Sequence, residues 1–209
     1  MSEVKPDRAT RTRTALLTAG FDLLADRSVE AIPIDDLIAA AGVGKGSFFN
    51  HFGDKDGFKA AIAIQIRGEI EAKIGQANAE IENPLKRLAG GMREVTDYTL
   101  KNRSRTMVLL RMNSGATTQD YPLNEGIVAD IEACRAAGLI KTESTEMAVL
   151  YWLGLCVAMM TFVVENRLTR SDAAAKLQDM TTLGLTGLGA QDASIEAIAK
   201  QSAKMLGEE

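Results

Sequence analysis

The stretch AAGVGKGSFFNHFGDKDGF, residues 40–58, decides the fold of this chain. Residues 42–52 hold three glycines, three phenylalanines and the single histidine of the sequence. Gly42 and Gly44 bracket Val43, and glycine at these two positions lets the chain turn tightly and carry a following helix across the preceding one. A short helix that ends at this turn and a second short helix that follows it together predict a helix-turn-helix.

The sequence on either side of the turn predicts further helices. Apolar residues recur at helical spacing over residues 8–26, which predicts a first helix with one core face. Pro33 precedes two aspartates in the first turn of the second helix, where carboxylates lie near the positive end of the backbone dipole. Asp54 can cap a long fourth helix, whose isoleucine stripe drifts slowly around the axis. Such a stripe is expected of a helix that contacts one domain at its start and another at its end.

Composition places the whole chain in the all-α class. The 209 residues include 46% hydrophobic residues, 25% charged residues and four prolines, and no stretch sustains the alternation expected of a β-strand. After the fourth helix, the sequence predicts six more, over residues 84–101, 105–112, 123–137, 142–167, 171–187 and 191–206. Residues 114–122 are predicted to form a loop.

The sequence gives no indication of secretion or of a membrane span. The N-terminal residues lack the apolar segment of a signal peptide. Cys134 and Cys156 lie in apolar helical patterns without a CxxC pair, so we expect reduced core cysteines in a cytoplasmic protein. Residues 148–164 are uncharged but shorter than the roughly 20 apolar residues that a spanning helix requires. We interpret this segment as a helix buried between other helices, and we expect no membrane partner.

Enzymatic chemistry is not indicated. His51, the only histidine, falls inside the helix-turn-helix, and no spacing of His, Cys, Asp or Glu resembles a metal-ligand set or a catalytic pair. We therefore expect a protein that is not an enzyme, with no catalytic residues, no bound metal and no cofactor.

Side chains that can contact DNA are concentrated in the third helix, predicted over residues 45–51, and at its ends. They can donate hydrogen bonds or carry positive charge: Lys45, Ser47, Asn50, His51 and Lys55. The alternative is that the polar residues only solvate and cap a short surface helix. The chain has a net charge of −4, and residues 1–55 carry seven basic and eight acidic side chains, so any DNA contact must be local. We expect affinity to depend on the arginines of an N-terminal arm, and to fall steeply with salt.

The same stretch resembles the signature of the tetracycline-repressor (TetR) family of bacterial transcriptional regulators. The resemblance lies in an Ala-Gly-Val turn at residues 41–43, then Ser47, the aromatic residues that follow it, and Lys55 at the start of helix four. It implies a helix-turn-helix DNA-binding domain with a basic N-terminal arm over residues 1–54, and a helical ligand-binding and dimerisation domain over residues 55–209.

The resemblance implies a ligand-responsive regulator, a repressor, that binds a palindromic DNA operator as a homodimer and is released by a small, largely apolar effector. In this family the last two long helices form the dimer as a four-helix bundle, which here would be the predicted helices over residues 142–167 and 171–187. The alternative is a helix-turn-helix protein-interaction adaptor without DNA binding, which the acidic first domain leaves open.

The resemblance also suggests roles for individual residues. Ser47 and Lys55 would bind phosphates, and His51 would lie along the DNA backbone. Lys45, Gly46 and Asn50 would face the bases, where asparagine suits adenine and lysine suits guanine. Phe49 stands where the family usually has tyrosine, so ring packing remains but the phenolic phosphate contact is lost. The candidate DNA-contacting residues are Arg8, Arg11, Arg13, Lys45, Gly46, Ser47, Phe49, Asn50, His51 and Lys55.

An adaptable apolar ligand pocket is expected in the second domain. Its candidate lining residues are methionines, aromatic residues and one arginine: Tyr98, Met107, Arg111, Met112, Tyr151 and Trp152. Arg111 or Asn113 would be the polar group that orients the ligand. The alternative for each of the aromatic residues and methionines is an ordinary place in the core.

Overall fold

The computed structural model describes residues 7–24, 27–111, 122–190 and 194–208, and α-helices dominate these ranges. The helices are α1 Arg8–Leu24, α2 Ile34–Ala41, α3 Lys45–Phe52, α4 Lys55–Asn78, α5 Pro84–Lys101, α6 Arg103–Arg111, α7 Glu125–Ala136, α8 Thr145–Glu165, α9 Arg170–Gly187 and α10 Ile195–Glu208. Single 3₁₀ turns occur at Val29–Ala31 and Pro122–Asn124. The described residues contain no strand, and the predicted all-α class is confirmed.

Helix boundaries agree with the sequence predictions to within a few residues. The start of α8 is predicted at residue 142, but the helix begins at Thr145 after a Ser144 cap. The start of α9 differs by one residue, since the helix begins at Arg170 after a Thr169 cap that accepts from the Asp172 N–H at 3.2 Å, rather than at Ser171. Residues 114–121 of the predicted loop and residues 191–193 of the helix predicted over residues 191–206 lie outside the described ranges.

The helix-turn-helix is formed by local backbone interactions. Gly42 adopts a left-handed conformation (φ 64°) and ends α2, its N–H donating to the Ala39 carbonyl, while the Val43 N–H donates to the Ile38 carbonyl. Glycine is favoured at such a position because it has no Cβ to clash. After α3, the Asp54 carboxylate accepts from the Gly57 N–H at 2.8 Å and caps α4 as predicted.

An aromatic cluster holds α3 against α4. The ring centroids of Phe48, Phe52 and Phe58 lie 5.0–5.5 Å apart, and all three side chains are buried. Gly20 brings α1 close to the same cluster, since a Cβ at this position would lie 2.5 Å from Phe58 Cζ. The three N-terminal helices therefore share one small core with the start of α4.

The larger C-terminal helical domain is built around α5, which packs against α4, α7, α8, α9 and α10. Cys134 and Cys156 are free and buried in this domain, and burial raises the pKa of each thiol to about 12. Both thiols therefore stay protonated and unreactive near neutral pH. The division of the chain at residues 54 and 55 stays a prediction, because α4 packs against helices on both sides of it.

Within the described residues, α8 is the one helix long and apolar enough to cross a membrane, with a mean hydropathy of 2.2. One face, which includes Trp152 and Met159, is buried against neighbouring helices. The opposite face is exposed although it is apolar: Met147, Leu150, Tyr151 and Phe162. The described part of the chain thus covers α8 on one side only.

Candidate DNA-binding surface and ligand cavity

The side chains of α3 divide into an inward aromatic face and an outward polar face. Phe48 and Phe52 point into the core and anchor the helix. The predicted base-facing and backbone-facing residues lie on the other side, where Lys45, Gly46, Phe49 and Asn50 are exposed and Ser47 and His51 are half-buried. The structure therefore brings these six predicted residues together on one outward surface of the helix-turn-helix.

Lys45, at the start of α3, is paired within the domain. Its Nζ lies 3.1 Å from Oδ1 of Asp35 on α2, and both side chains are mostly exposed. An exposed pair of this kind contributes about 0–1 kcal/mol. Asp35 therefore offers Lys45 a weak partner that competes with DNA.

Lys55 forms a hydrogen bond within the protein at the start of α4. Its Nζ donates to the Glu30 carbonyl at 2.8 Å, which ties the helix start to the 3₁₀ turn before α2. The Glu30 carboxylate lies 3.9 Å from the Lys59 ammonium and 3.5 Å from the Arg111 guanidinium. A phosphate bound by Lys55 would therefore share this ammonium with a backbone carbonyl.

The three arginines expected in an N-terminal arm lie within helix α1. Arg8, Arg11 and Arg13 are exposed, and the Arg13 guanidinium lies 5.7 Å from the centroid of the Phe52 ring. Asp7 caps the helix by accepting from the Thr10 N–H at 2.7 Å, and this hydrogen bond lowers the pKa of its carboxyl. The basic groups are thus held on a regular helix beside α3.

A cavity of about 340 Å³ lies between α4, α5, α7 and α8, with Leu109 of α6 also in its wall. Most of the wall is apolar, with Ile70, Ile74, Leu88 and Met160 among its residues. Volumes of 300–1,000 Å³ are usual for sites that bury small molecules. This cavity can therefore enclose a ligand about the size of one or two rings.

The charged side chains of the cavity are paired with one another. On α4, the Arg67 guanidinium lies 2.7 Å from the Glu71 carboxylate and donates to the Asn124 side-chain oxygen at 2.8 Å. The Arg87 guanidinium on α5 lies 2.5 Å from the Asp130 carboxylate on α7. Burial raises the pKa of both carboxyls, although the neighbouring arginine acts in the opposite direction in each pair.

One of the six predicted pocket residues, Trp152, lines this cavity. Tyr98 is buried elsewhere, donates to the Glu69 carboxylate at 3.0 Å, and has its pKa raised to about 12 by burial. Met107 and Tyr151 are exposed, and Arg111 is exposed and pairs with Glu30. Met112 and Asn113 lie outside the described residues.

Sequence reasoning missed the polar part of the cavity. Arg67 and Glu71 are four residues apart beside the isoleucine stripe of α4, and this spacing was the available signal. The signal is weak because the same pattern is typical of exposed ion pairs. Among the described residues, no group of three or more His, Cys, Asp or Glu side chains is arranged to hold a metal ion.

The exposed apolar face of α8 continues onto α9. Leu183 of α9 is 66% exposed, and the Tyr151 hydroxyl donates to the Leu183 carbonyl at 3.3 Å. The two helices therefore present one apolar surface formed by Met147, Leu150, Tyr151, Phe162 and Leu183, which we call the α8–α9 face.

Comparison of sequences relates the N-terminal domain to known regulators. Residues 16–62 match the family described as bacterial regulatory proteins, tetR family. The uncharacterized HTH-type transcriptional regulator YwcC of Bacillus subtilis (strain 168) is 40% identical over 47 residues, which is 22% of this chain and 21% of that protein. The sequence likeness to YwcC thus spans about a fifth of either protein.

Comparison of structures extends the likeness of fold to most of the chain. RolR in complex with resorcinol superimposes with a TM-score of 0.70 at 22% identity, over 93% of this chain and 95% of RolR. A putative tetR family regulator from Shewanella sp. PV-4 superimposes with a TM-score of 0.70 at 15% identity, over 87% of this chain and 99% of the other. A γ-butyrolactone receptor described as ArpA-like superimposes with a TM-score of 0.58 at 18% identity, over 97% of this chain and 98% of the receptor.

The helix-turn-helix and the sequence match thus lie in the same N-terminal segment of the chain. Residues 16–62 thus match the tetR family of bacterial regulatory proteins, and over the rest of the chain the likeness is one of fold.

Proposed function

We propose that this protein is a cytoplasmic, ligand-responsive repressor that binds a palindromic DNA operator as a homodimer and is released by a small, largely apolar effector. The observation that carries the proposal is the outward face of α3, where Lys45, Gly46, Phe49 and Asn50 are exposed together. A short helix that is anchored by buried aromatic residues and polar on its outer face can enter the major groove.

The charge distribution supports a contact that is confined to one surface. Residues 1–55 have slightly more acidic than basic side chains, so the domain as a whole does not attract DNA. The exposed arginines of α1 lie near α3 and supply local positive charge, as the Arg13–Phe52 contact indicates. Binding that depends on a few phosphate contacts is expected to weaken as salt rises.

The α8–α9 face supports a homodimer. Monomeric proteins rarely expose large contiguous apolar patches, whereas a second copy of the same face would cover these side chains. A twofold axis at this face would also present two copies of α3 to one DNA duplex. We expect Leu183→Asp to shift the protein to monomer in analytical ultracentrifugation, with Gln178→Asp, an exposed uncharged position on another side of the same helix, as the control.

The cavity supports an effector of small size. Relatives of the same fold include RolR, whose structure contains resorcinol, and a γ-butyrolactone receptor. Both names refer to small molecules, and the cavity of this chain has a volume of about 340 Å³ and a mainly apolar wall. The effector would act by binding one arrangement of the helices more tightly than another.

A DNA-binding measurement tests the proposal. Random duplex DNA would be selected on the purified protein, and the enriched sequence compared with the DNA that flanks its own gene. We expect an enriched palindrome, and we expect Lys45→Ala and Asn50→Ala each to weaken binding about 5- to 150-fold, since one base contact contributes roughly 1–3 kcal/mol. Lys200→Ala and Gln201→Ala are matched controls because both residues are exposed on α10.

The adaptor alternative predicts a different result. It is favoured by the Lys45–Asp35 pair and by the acidic balance of residues 1–55. If no duplex is retained above a scrambled sequence at low salt, and the control variants behave like the Lys45 and Asn50 variants, the protein does not recognise DNA through α3. Partner proteins would then have to be sought.

A further inference from the structure

The charged groups in the cavity wall balance one another. Among the described residues, two arginines and two carboxylates line the cavity, and each arginine lies within 2.7 Å of its carboxylate. A charged ligand would therefore bring an uncompensated charge into a largely apolar enclosure, which is costly. An uncharged ligand avoids this cost.

Arg67 has a hydrogen-bond donor that the protein does not use. Its Nη2 serves both Glu71 and Asn124, whereas its Nε is buried and has no acceptor among the described residues. Leaving a buried donor unsatisfied costs free energy, and a ligand acceptor would remove that cost. The Glu71 carboxylate, four residues along the same wall, can accept a further hydrogen bond because each carboxylate has about four lone-pair sites.

A hydroxyl group matches these two side chains together. It can accept from Arg67 Nε and donate to the Glu71 carboxylate at the same time. A carboxylate can only accept and would face Glu71 as a like charge. An ammonium can only donate and would face Arg67 as a like charge. A hydrocarbon leaves both polar groups unsatisfied.

The apolar wall determines the size and polarity of the rest of the ligand. Ile70, Ile74 and Trp152 form part of the wall, and an apolar cavity of about 150 Å³ is already large enough to hold benzene. A ring or a short branched chain therefore fits within about 340 Å³. We propose that the effector is an uncharged compound with an apolar body and a hydroxyl group, bound with the hydroxyl between Arg67 Nε and the Glu71 carboxylate.

This inference rests on the proposed role of the cavity as the effector site, but it is tested without DNA. Four meta-substituted toluenes of similar size would be titrated into the purified full-length protein: 3-methylphenol, 3-methylbenzoate, 3-methylbenzylamine and 1,3-dimethylbenzene. Trp152 is the single tryptophan of the chain and lines the cavity, so its fluorescence reports binding directly. Thermal unfolding of the same samples gives an independent affinity through ligand stabilisation.

We expect 3-methylphenol to bind at least tenfold more tightly than each of the other three compounds. Glu71→Gln should reduce the affinity for 3-methylphenol about tenfold or more, because a hydrogen bond to a charged group is replaced by one to a neutral amide. The same substitution should leave the affinity for 1,3-dimethylbenzene within twofold. Glu80→Gln, at an exposed position beyond the end of α4, is the matched control and should change neither affinity.

Either of two results overturns the inference. One is that the carboxylate, the amine or the hydrocarbon binds as tightly as the phenol. The other is that 3-methylphenol changes neither the Trp152 fluorescence nor the unfolding temperature at millimolar concentration. Neither result affects the proposed DNA recognition, because operator selection fails or succeeds independently of these titrations.

Discussion

Replacing Phe48 by alanine separates the stability of the DNA-binding domain from its contact surface, since Phe49 supplies a matched control in the same helix. Phe48 has no exposed surface, and its ring centroid lies 5.5 Å from those of Phe49, Phe52 and Phe58. Phe49 is 42% exposed and packs edge-on against Phe48. The same substitution therefore removes a core anchor at one position and a surface side chain at the next.

The expected loss of folding stability in each variant follows from how deeply the replaced phenylalanine is buried. Truncating a buried phenylalanine loses its transfer free energy and leaves a cavity, for a total of about 3–5 kcal/mol. Phe48 should fall in the upper half of that range, because its three aromatic contacts are lost as well. Phe49→Ala leaves no enclosed cavity and loses partial burial and one edge contact, so we expect about 1 kcal/mol.

Urea unfolding, followed by circular dichroism at one fixed protein concentration, measures both costs. Fixed concentration matters because the proposed dimerisation would make the apparent stability depend on protein concentration. Operator affinity should show the opposite ranking once the folded fraction is taken into account: Phe49→Ala weakens binding through the surface it exposes, and Phe49→Tyr strengthens it by adding a phosphate donor. Equal losses of stability in Phe48→Ala and Phe49→Ala would refute the division of α3 into an inward and an outward face.

Three further predictions concern other parts of the molecule. Asp35→Asn should tighten operator binding by up to about fivefold, because Lys45 no longer has a competing partner worth about 0–1 kcal/mol and is free to contact a base; Asp36→Asn, whose partner is Arg27, should not. Gly20→Ala should lower the free energy of unfolding by about 1–2 kcal/mol, since the added Cβ would lie 2.5 Å from Phe58 Cζ. Gly68→Ala is the control: its Cβ would meet nothing within 4 Å, so the substitution should raise the free energy of unfolding by up to about 1 kcal/mol. The pKa of Glu71 is raised in the folded state, so the folded protein holds this proton to higher pH than the unfolded chain does. The free energy of unfolding should therefore fall as pH rises above the ordinary value of 4.5. Glu71→Gln should flatten this part of the profile when denaturation is measured as a function of pH.

Each of these three can fail separately. An unchanged operator affinity in Asp35→Asn would mean that the Lys45–Asp35 pair does not compete with DNA. Stabilisation by both glycine substitutions would mean that α1 can move away from α4 at little cost. A pH profile that Glu71→Gln leaves unaltered would mean that the carboxyl is better solvated than its buried position indicates.

The helix-turn-helix could be predicted from sequence because its determinants act over a few residues. Gly42 ends α2 through a left-handed conformation, and the Asp54 carboxylate caps α4 by accepting from the Gly57 N–H, only three residues along the chain. The same reasoning placed the start of α9 slightly late, since Thr169 and Ser171 are both acceptable caps and the choice depends on how the preceding turn packs. Local chemistry specifies that a helix begins, and packing selects the residue.

The cavity could not be predicted in the same way. Arg67 and Asn124 are 57 residues apart, and Arg87 and Asp130 are 43 residues apart, so neither contact follows from local spacing. The aromatic residues and methionines chosen from composition are distributed over a core, an exposed helix face and the cavity wall. Composition identifies apolar residues but does not say which of them remain beside empty space after the helices pack.

The low amphipathicity of α8 has a related cause. Apolar residues occur on both of its faces, since one face packs within the chain and the α8–α9 face remains exposed. A sequence pattern cannot separate burial within a chain from burial between chains, because both remove the same surface from water. The exposed position of Leu183 and Phe162 distinguishes the two, and only coordinates provide it.

Two helices connect the cavity to the DNA-binding domain. α4 carries Arg67 and Glu71 in the cavity wall, while at its start Phe58 is part of the aromatic cluster beneath α3. α6 contributes Leu109 to the same wall, and its Arg105 guanidinium lies 4.0 Å from the ring centroid of Phe21 on α1. A ligand whose hydroxyl enters between Arg67 and Glu71 must shift side chains of α4, and packed helices respond to such shifts as units rather than by bending locally. Because α4 also supports α3, the proposed effector site and the outward face of α3 would be coupled chiefly through α4, and the hydroxyl contact is the point at which binding free energy would enter that coupling.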